Sequence, residues 1–247
     1  MKELFMECHS LKSLDLSKFD TSNVIDMNYM FYECSHLTSL DLSNFNTSKV
    51  ENMEYMFFGC QQLKVLNVSR FDTFQVISMK YMFAKCHNLI SLDISNFDLS
   101  QKNLKHFLDN CISLVSIELS KEYTLLEEIN YMFSKCSSLT SLNLSNFDFV
   151  FIENMEGVFN ECSSLISLDL SNTDSFSATN MVKMFYECKL LKSLNLDNWI
   201  TPYLLTIEGM FYNCFSLTSL NLSCFTTSFV QNMSYLFYNC NNLRFLN

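Results

Sequence analysis

Glycine and proline are almost missing from this chain of 247 residues, which holds three and one of them. Its turns must therefore be built by Asn, Asp, Ser and Thr, whose short side chains bond their own backbone. No run of about 18 or more apolar residues occurs, so no segment is written to cross a bilayer as a helix. The opening Met1-Lys2-Glu3-Leu4-Phe5-Met6-Glu7 lacks the apolar stretch of a signal peptide. Basic residues are few: 16 Lys and Arg stand against 26 Asp and Glu, a net charge of −10. That balance argues against nucleic acid, whose phosphates need clustered Lys and Arg, and weakly against anionic membrane surfaces. Catalytic constellations are missing too. The four His are scattered, and no Ser-His-Asp order, glycine-rich phosphate loop or His-Glu-x-x-His occurs. The chain does not read as an enzyme, and nothing in it calls for a cofactor or a metal.

Apolar and aromatic residues, by contrast, are plentiful at 49% and 15%, which excludes disorder. Cysteine is the most regular of them. Ten fall at steps of 25 or 26 residues: Cys8, Cys34, Cys60, Cys86, Cys111, Cys136, Cys162, Cys188, Cys214 and Cys240. A strict period of this length marks a solenoid in which each unit touches only its neighbours. With each unit numbered from its Cys as zero, Leu stands at +3, Leu or Ile at +6, and Leu, Val or Ile at +8, as in Leu37-Thr38-Ser39-Leu40-Asp41-Leu42. The alternation over the last four positions predicts a short strand with one buried face. Phe follows at +11 (Phe19, Phe45, Phe71, Phe97, Phe147, Phe225), then an Asp-Thr-Ser-like turn such as Asp20-Thr21-Ser22. Ahead of each Cys, apolar residues recur at −10, −7, −4 and −3, as in Val24, Met27, Met30 and Phe31. Steps of three and one predict a short helical or 3₁₀ return segment.

The expected fold is an α/β solenoid, a leucine-rich-repeat horseshoe or arc of nine to ten stacked units of 25–26 residues, each with one parallel strand and one return segment. Residues 1–247 form one such array, which begins and ends in mid-repeat with no polar cap. Uncapped ends predict a piece of a longer protein and leave open end-to-end self-association.

The unit Leu-x-Ser-Leu-Asp-Leu-Ser-x-Phe-Asp-Thr-Ser-x-Val-x-x-Met-x-x-Met-Phe-x-x-Cys, best seen from Leu37 to Cys60, resembles the 26-residue repeat of BspA-like leucine-rich-repeat surface proteins. The resemblance covers essentially the whole chain. It implies a curved, non-catalytic solenoid for adhesion or protein binding, at the cell surface or secreted. Its partner would be a protein or peptide, such as a host surface protein. An intracellular scaffold or adaptor is the alternative.

Four readings of the cysteines compete. Disulfides between stacked units meet the Cα range but not the preferred Cβ spacing. Zinc sites want Cys pairs two to four residues apart, and each unit here supplies one. A nucleophile would not be copied ten times. The reading that remains strongest is a structural column of buried reduced thiols, each acting as a small hydrophobe.

Two surfaces are candidates for binding. The strand positions +5 and +7, expected on the concave side, carry Ser13, Asp15, Ser39, Asp41, Ser91, Asp93, Ser116, Glu118, Ser141, Asn143, Ser167, Asp169, Ser193 and Asn195. This polar, mildly acidic strip suits a basic peptide, or Ca²⁺ between neighbouring carboxylates, or simply solvent. A second row at −5, Tyr29, Tyr55, Tyr81, Tyr131 and Tyr235, is placed on the convex flank. Tyr there serves either an interface or the shielding of the return segment. Irregular units mark individuality. Gln101-Lys102 replaces an apolar contact, Glu122 stands where Phe is expected, and the only Trp (Trp199) and Pro (Pro202) share a unit.

Overall fold

The computed structural model describes all 247 residues, Met1–Asn247. Eight short strands follow one another along the chain. They are β1 (Ser91–Asp93), β2 (Ser116–Glu118), β3 (Thr124–Leu125), β4 (Phe147–Asp148), β5 (Ser167–Asp169), β6 (Ser193–Asn195), β7 (Ser219–Leu220) and β8 (Phe245–Leu246). All but β3 and β4 begin at position +5, where the alternation predicts a strand. Pairing is parallel and in register, as in Ser91↔Ser116, Leu92↔Ile117 and Asp93↔Glu118. A second edge pairs β3 with β4. Isolated parallel bridges such as Asn52↔Ser78 and Asn180↔Thr206 join units along a third edge. The architecture is a leucine-rich-repeat solenoid.

The return segment departs from the helical or 3₁₀ form that its spacing predicts. It is a chain of tight turns, and the reason lies in where its N–H groups go. In the third unit the amides alternate in direction. Those of Met56, Phe58 and Cys60 donate three residues back, to the carbonyls of Met53, Tyr55 and Phe57. The intervening amides of Met53, Tyr55, Phe57 and Gly59 donate forward to Ser78, Lys80, Met82 and Ala84 of the next unit, at 2.8–3.1 Å. An α-helix would spend every amide past its first turn inside the segment, leaving none to join units. To alternate in this way the chain enters the left-handed region at −5 and −1 of every unit, as at Tyr55 (φ 55) and Gly59 (φ 72), or Tyr131 (φ 60) and Lys135 (φ 58). Only 6 of the 126 backbone–backbone hydrogen bonds lie within the strands, so this turn ladder, more than the sheet, ties the array together.

Side chains between the ladders close into one cluster of 67 buried residues. Its Phe column runs Phe31, Phe57 and Phe83 with ring centroids 5.6 Å apart and planes nearly parallel. In the fifth unit Leu108 stands in the column, and Phe107, one residue earlier, meets Phe83 edge-on at 5.1 Å. In the +11 column Trp199 is fully buried, and the unit before it offers the small Thr173. The indole Nε1 donates to Leu170 O at 3.1 Å and to Thr173 Oγ1 at 2.9 Å, so a large rung fills the room left by a small one.

The expectation for Glu122 needs correcting. The register is Thr124↔Phe147, so the buried Thr124 takes the place opposite Phe147. Lys121, Glu122 and Tyr123 are displaced into an exposed loop. A charged side chain leaves the column and the backbone absorbs the difference.

Candidate functional site

Turn chemistry accounts for the Asp and Asn residues of the polar strand row, while Glu118 is exposed and takes no part in such a turn. The backbone amide of Ser17 donates to Asp15 Oδ1 at 2.9 Å, and Ser43 to Asp41 and Ser171 to Asp169 do the same at 2.9 and 3.0 Å. Asn143 and Asn195 accept from Ser145 and Asp197 in the same way. These bonds hold the carboxyls of Asp15, Asp41 and Asp169 below the usual range. At Asp93 the hydroxyl of Ser95 is the larger cause and its amide the second. Ser13, Ser39, Ser91, Ser116, Ser141, Ser167 and Ser193 are exposed beside them. Two further turns of this kind recur in most units, at Asp20 and Asp26 in the first repeat, and take the place of glycine and proline. No group of three or more His, Cys, Asp or Glu converges as a metal site would require.

Each interior cysteine does more than fill space. Cys60 Sγ donates to Phe31 O at 3.2 Å, Cys86 to Phe57 O at 3.2 Å, and Cys188 to Phe159 O at 3.1 Å. The column is therefore a ladder of S–H···O=C bonds between units. All eleven cysteines are free; Cys8 and Cys224 are exposed and Cys240 is partly so. Burial raises the Cys34 thiol to about 11 and the Cys162 thiol to about 12. Such thiols are protonated at neutral pH and unreactive.

The turn flank carries the more distinctive chemistry. Tyr29, Tyr55 and Tyr81 stack with centroids 4.7 Å apart and planes within 12°. The column then passes through His106, 4.3 Å from Tyr81 and 4.7 Å from Tyr131. His106 lies outside the tyrosine row expected from the sequence, yet it is aromatic and stands at the same −5 position. Its Nδ1 lies 2.8 Å from Asp109 Oδ2. Tyr235 stands apart from the other four, because the −5 positions between are Gly157, Lys183 and Gly209.

A second aromatic column, at −2, has no counterpart among the sequence expectations. Tyr32 stacks on Phe58 at 5.0 Å, and Tyr186, Tyr212 and Tyr238 stack at 4.6 and 4.7 Å. Ala84, Asp109, Ser134 and Asn160 interrupt it and mask its period. Lysines lie over these rings: Lys85 Nζ is 4.8 Å from the Phe58 centroid and Lys183 Nζ is 5.6 Å from that of Tyr186. Burial first, then the neighbouring Tyr81 and Tyr29, push the Tyr55 hydroxyl up to about 12.

The irregular unit shapes a separate hollow of about 670 Å³, lined by Phe74, Asp98, Lys121, Glu122 and Tyr123 among others. Lys102 reaches Phe74 O at 3.0 Å and Asp98 at 3.5 Å along one side.

The family described as "Mycoplasma protein of unknown function, DUF285" matches residues 1–118 and 127–245. The unmatched stretch holds the displaced loop. No curated protein matches. Among solved structures, a leucine-rich cell surface protein from Faecalibacterium prausnitzii is 17% identical, over 89% of this chain and 75% of that one, with a TM-score of 0.41. A leucine-rich repeat protein from T. pallidum is 23% identical over 78% and 72%, with a TM-score of 0.39. One from Bacteroides ovatus is 17% identical over 100% and 77%, with a TM-score of 0.37.

Proposed function

The chain belongs to the DUF285 family, and we propose that it is a non-catalytic protein-binding module, displayed at the cell surface or secreted, whose contact face is the aromatic turn flank. The observation that carries this reading is the pair of stacked columns, Tyr29–Tyr55–Tyr81 beside Tyr32–Phe58, with all four tyrosines half-buried at the surface. A partner laid on these rings gains large apolar area while the phenols keep polar contacts. The rings are already ordered by stacking, which lowers the entropy lost on binding. The strand aspartates Asp15, Asp41, Asp93 and Asp169, in contrast, are engaged by their own turns.

The test compares three forms of the chain against surface proteins extracted from intact host cells. The triple variant Tyr29→Ser, Tyr55→Ser, Tyr81→Ser should lose captured protein by about tenfold or more. The variant Asp41→Asn, Asp93→Asn, Asp169→Asn should keep it, since Asn forms the same turn at Asn67 and Asn143. The reverse pattern would move the contact face to the strand row. Capture of nothing by any form would reject protein binding.

The free thiols favour a second reading, an intracellular scaffold. Protease treatment of intact cells separates the two, because only a displayed chain is cleaved.

A further inference from the structure

Glycine at 209 is not required by the backbone. Gly209 has φ 58, but Tyr29, Tyr55, Tyr81, Tyr131 and Tyr235 hold φ between 54 and 60 at the same −5 position. What glycine supplies there is room. A Cβ on Gly209 would find nothing nearer than Lys183 Cγ and Tyr186 Cδ2, both at 3.7 Å. Gly157, two units earlier, differs: the Tyr131 ring already fills the space its side chain would take. The column of rings breaks off over Gly157, Lys183 and Gly209, and at Gly209 the break leaves a slot one rung deep. Lys183 and Tyr235 bound it above and below in the stack, and Tyr186, Tyr212 and Tyr238 form its inner wall. The hollow measures about 360 Å³. Tyr235 stands nearly perpendicular to two of these wall rings, at 73° to Tyr212 and 78° to Tyr238. Glu208 also lines it, with Oε2 accepting from Asn232 Nδ2 at 2.8 Å.

We infer that this slot binds an aromatic side chain of a partner polypeptide, which enters as the missing rung of the tyrosine column. The inference rests on the protein-binding reading and names the group recognised. A planar ring matches the gap because the same face repeats the arrangement with its own residues. Tyr29 lies beside Tyr32 at 5.3 Å and stacks on Tyr55 at 4.7 Å, as an entering ring would lie beside Tyr212 and stack on Tyr235. Lys183 and Glu208 add one charge of each sign to the lining. The slot lies at the ninth unit, between the eighth and the tenth, whose Tyr235 and Tyr238 are exposed.

The probe is the blocked tripeptide acetyl-Gly-Tyr-Gly-amide, titrated into the isotope-labelled full chain and followed by NMR. Shifts are expected at Lys183, Gly209, Tyr212 and Tyr235. An analogue with cyclohexylalanine in place of Tyr should bind about fivefold more weakly, because aromatic pairing adds about 1 kcal/mol beyond area. Gly209→Tyr should fold, as Tyr does at five other −5 positions, and should weaken the tripeptide about tenfold or more by filling the slot. Tyr235→Leu, which removes one wall and keeps an apolar side chain, should also weaken it. Unchanged affinity in both variants, equal binding of the cyclohexyl analogue, or no binding to the wild type would each overturn the inference. Its failure is distinct from that of the module's function. Host protein held by the Tyr29–Tyr81 column and indifferent to Gly209→Tyr would defeat the slot alone. A tripeptide seated at Gly209 with no captured protein would defeat the function alone.

Discussion

Cys86 Sγ donates to Phe57 O at 3.2 Å, and that same carbonyl accepts the amide of Cys60 at 3.1 Å. One oxygen thus closes a turn in its own unit and anchors the thiol of the next. Cys86→Ala removes the donor and opens a small void in a closed core. The expected loss is about 1–3 kcal/mol, read as a lower urea midpoint.

Thr47 links units by a reciprocal pair. Its hydroxyl donates to Asp72 O at 2.9 Å and accepts from the Asp72 amide at 2.8 Å. Thr47→Val keeps the shape and leaves both backbone groups of Asp72 without this partner in a half-buried setting. A loss of about 1–3 kcal/mol is expected, and a cost below a few tenths would show that water replaces the hydroxyl.

Left-handed positions without glycine carry strain that can be relieved. Lys135 has φ 58, is exposed, and meets Glu161 only at 3.8 Å. Lys135→Gly is expected to stabilise by about 0.5–1 kcal/mol, the left-handed penalty of about 1–2 kcal/mol less the added freedom of the unfolded chain. Gly59→Ala should act in the opposite sense, since φ is 72 and its Cβ would press on the Glu33 carboxylate. Thermal melts of the two variants give the comparison.

Alkaline pH should weaken the fold. The ordinary thiol value is 9.0, and burial raises Cys34 to about 11 and Cys162 to about 12. Below 9 the thiols are protonated in both states and their contribution is whole. Above 9 the unfolded chain releases protons that the folded chain keeps, so stability falls until the folded values are passed. The urea midpoint should drop between about pH 9 and 12. A flat profile there would mean the thiols are not buried.

Thiol labelling at neutral pH should mark Cys8 and Cys224 first and Cys240 more slowly, with all eleven reacting after denaturation. Fewer than eleven in the denatured chain would reveal disulfides.

The period of Cys, Leu and Phe is enough to specify the solenoid, because stacked units can bury those side chains only in columns. Scarcity of glycine and proline likewise points to Asp and Asn turns, which Asp15 and Asp20 form. Tertiary structure alone decided the rest. The spacing of Val24, Met27, Met30 and Phe31 suits a helix, but alternate amides are drawn to the neighbouring unit, and a lone repeat has no such neighbour to reveal this. Tyr, Glu and Lys carry no local signal of a left-handed backbone, so Tyr55 and Lys135 give no hint of it. The thiol bonds, the interrupted −2 column and the space over Gly209 all arise between units, where side chains 23–29 residues apart first meet. A sequence states what each rung is made of; only stacking shows which rung is missing.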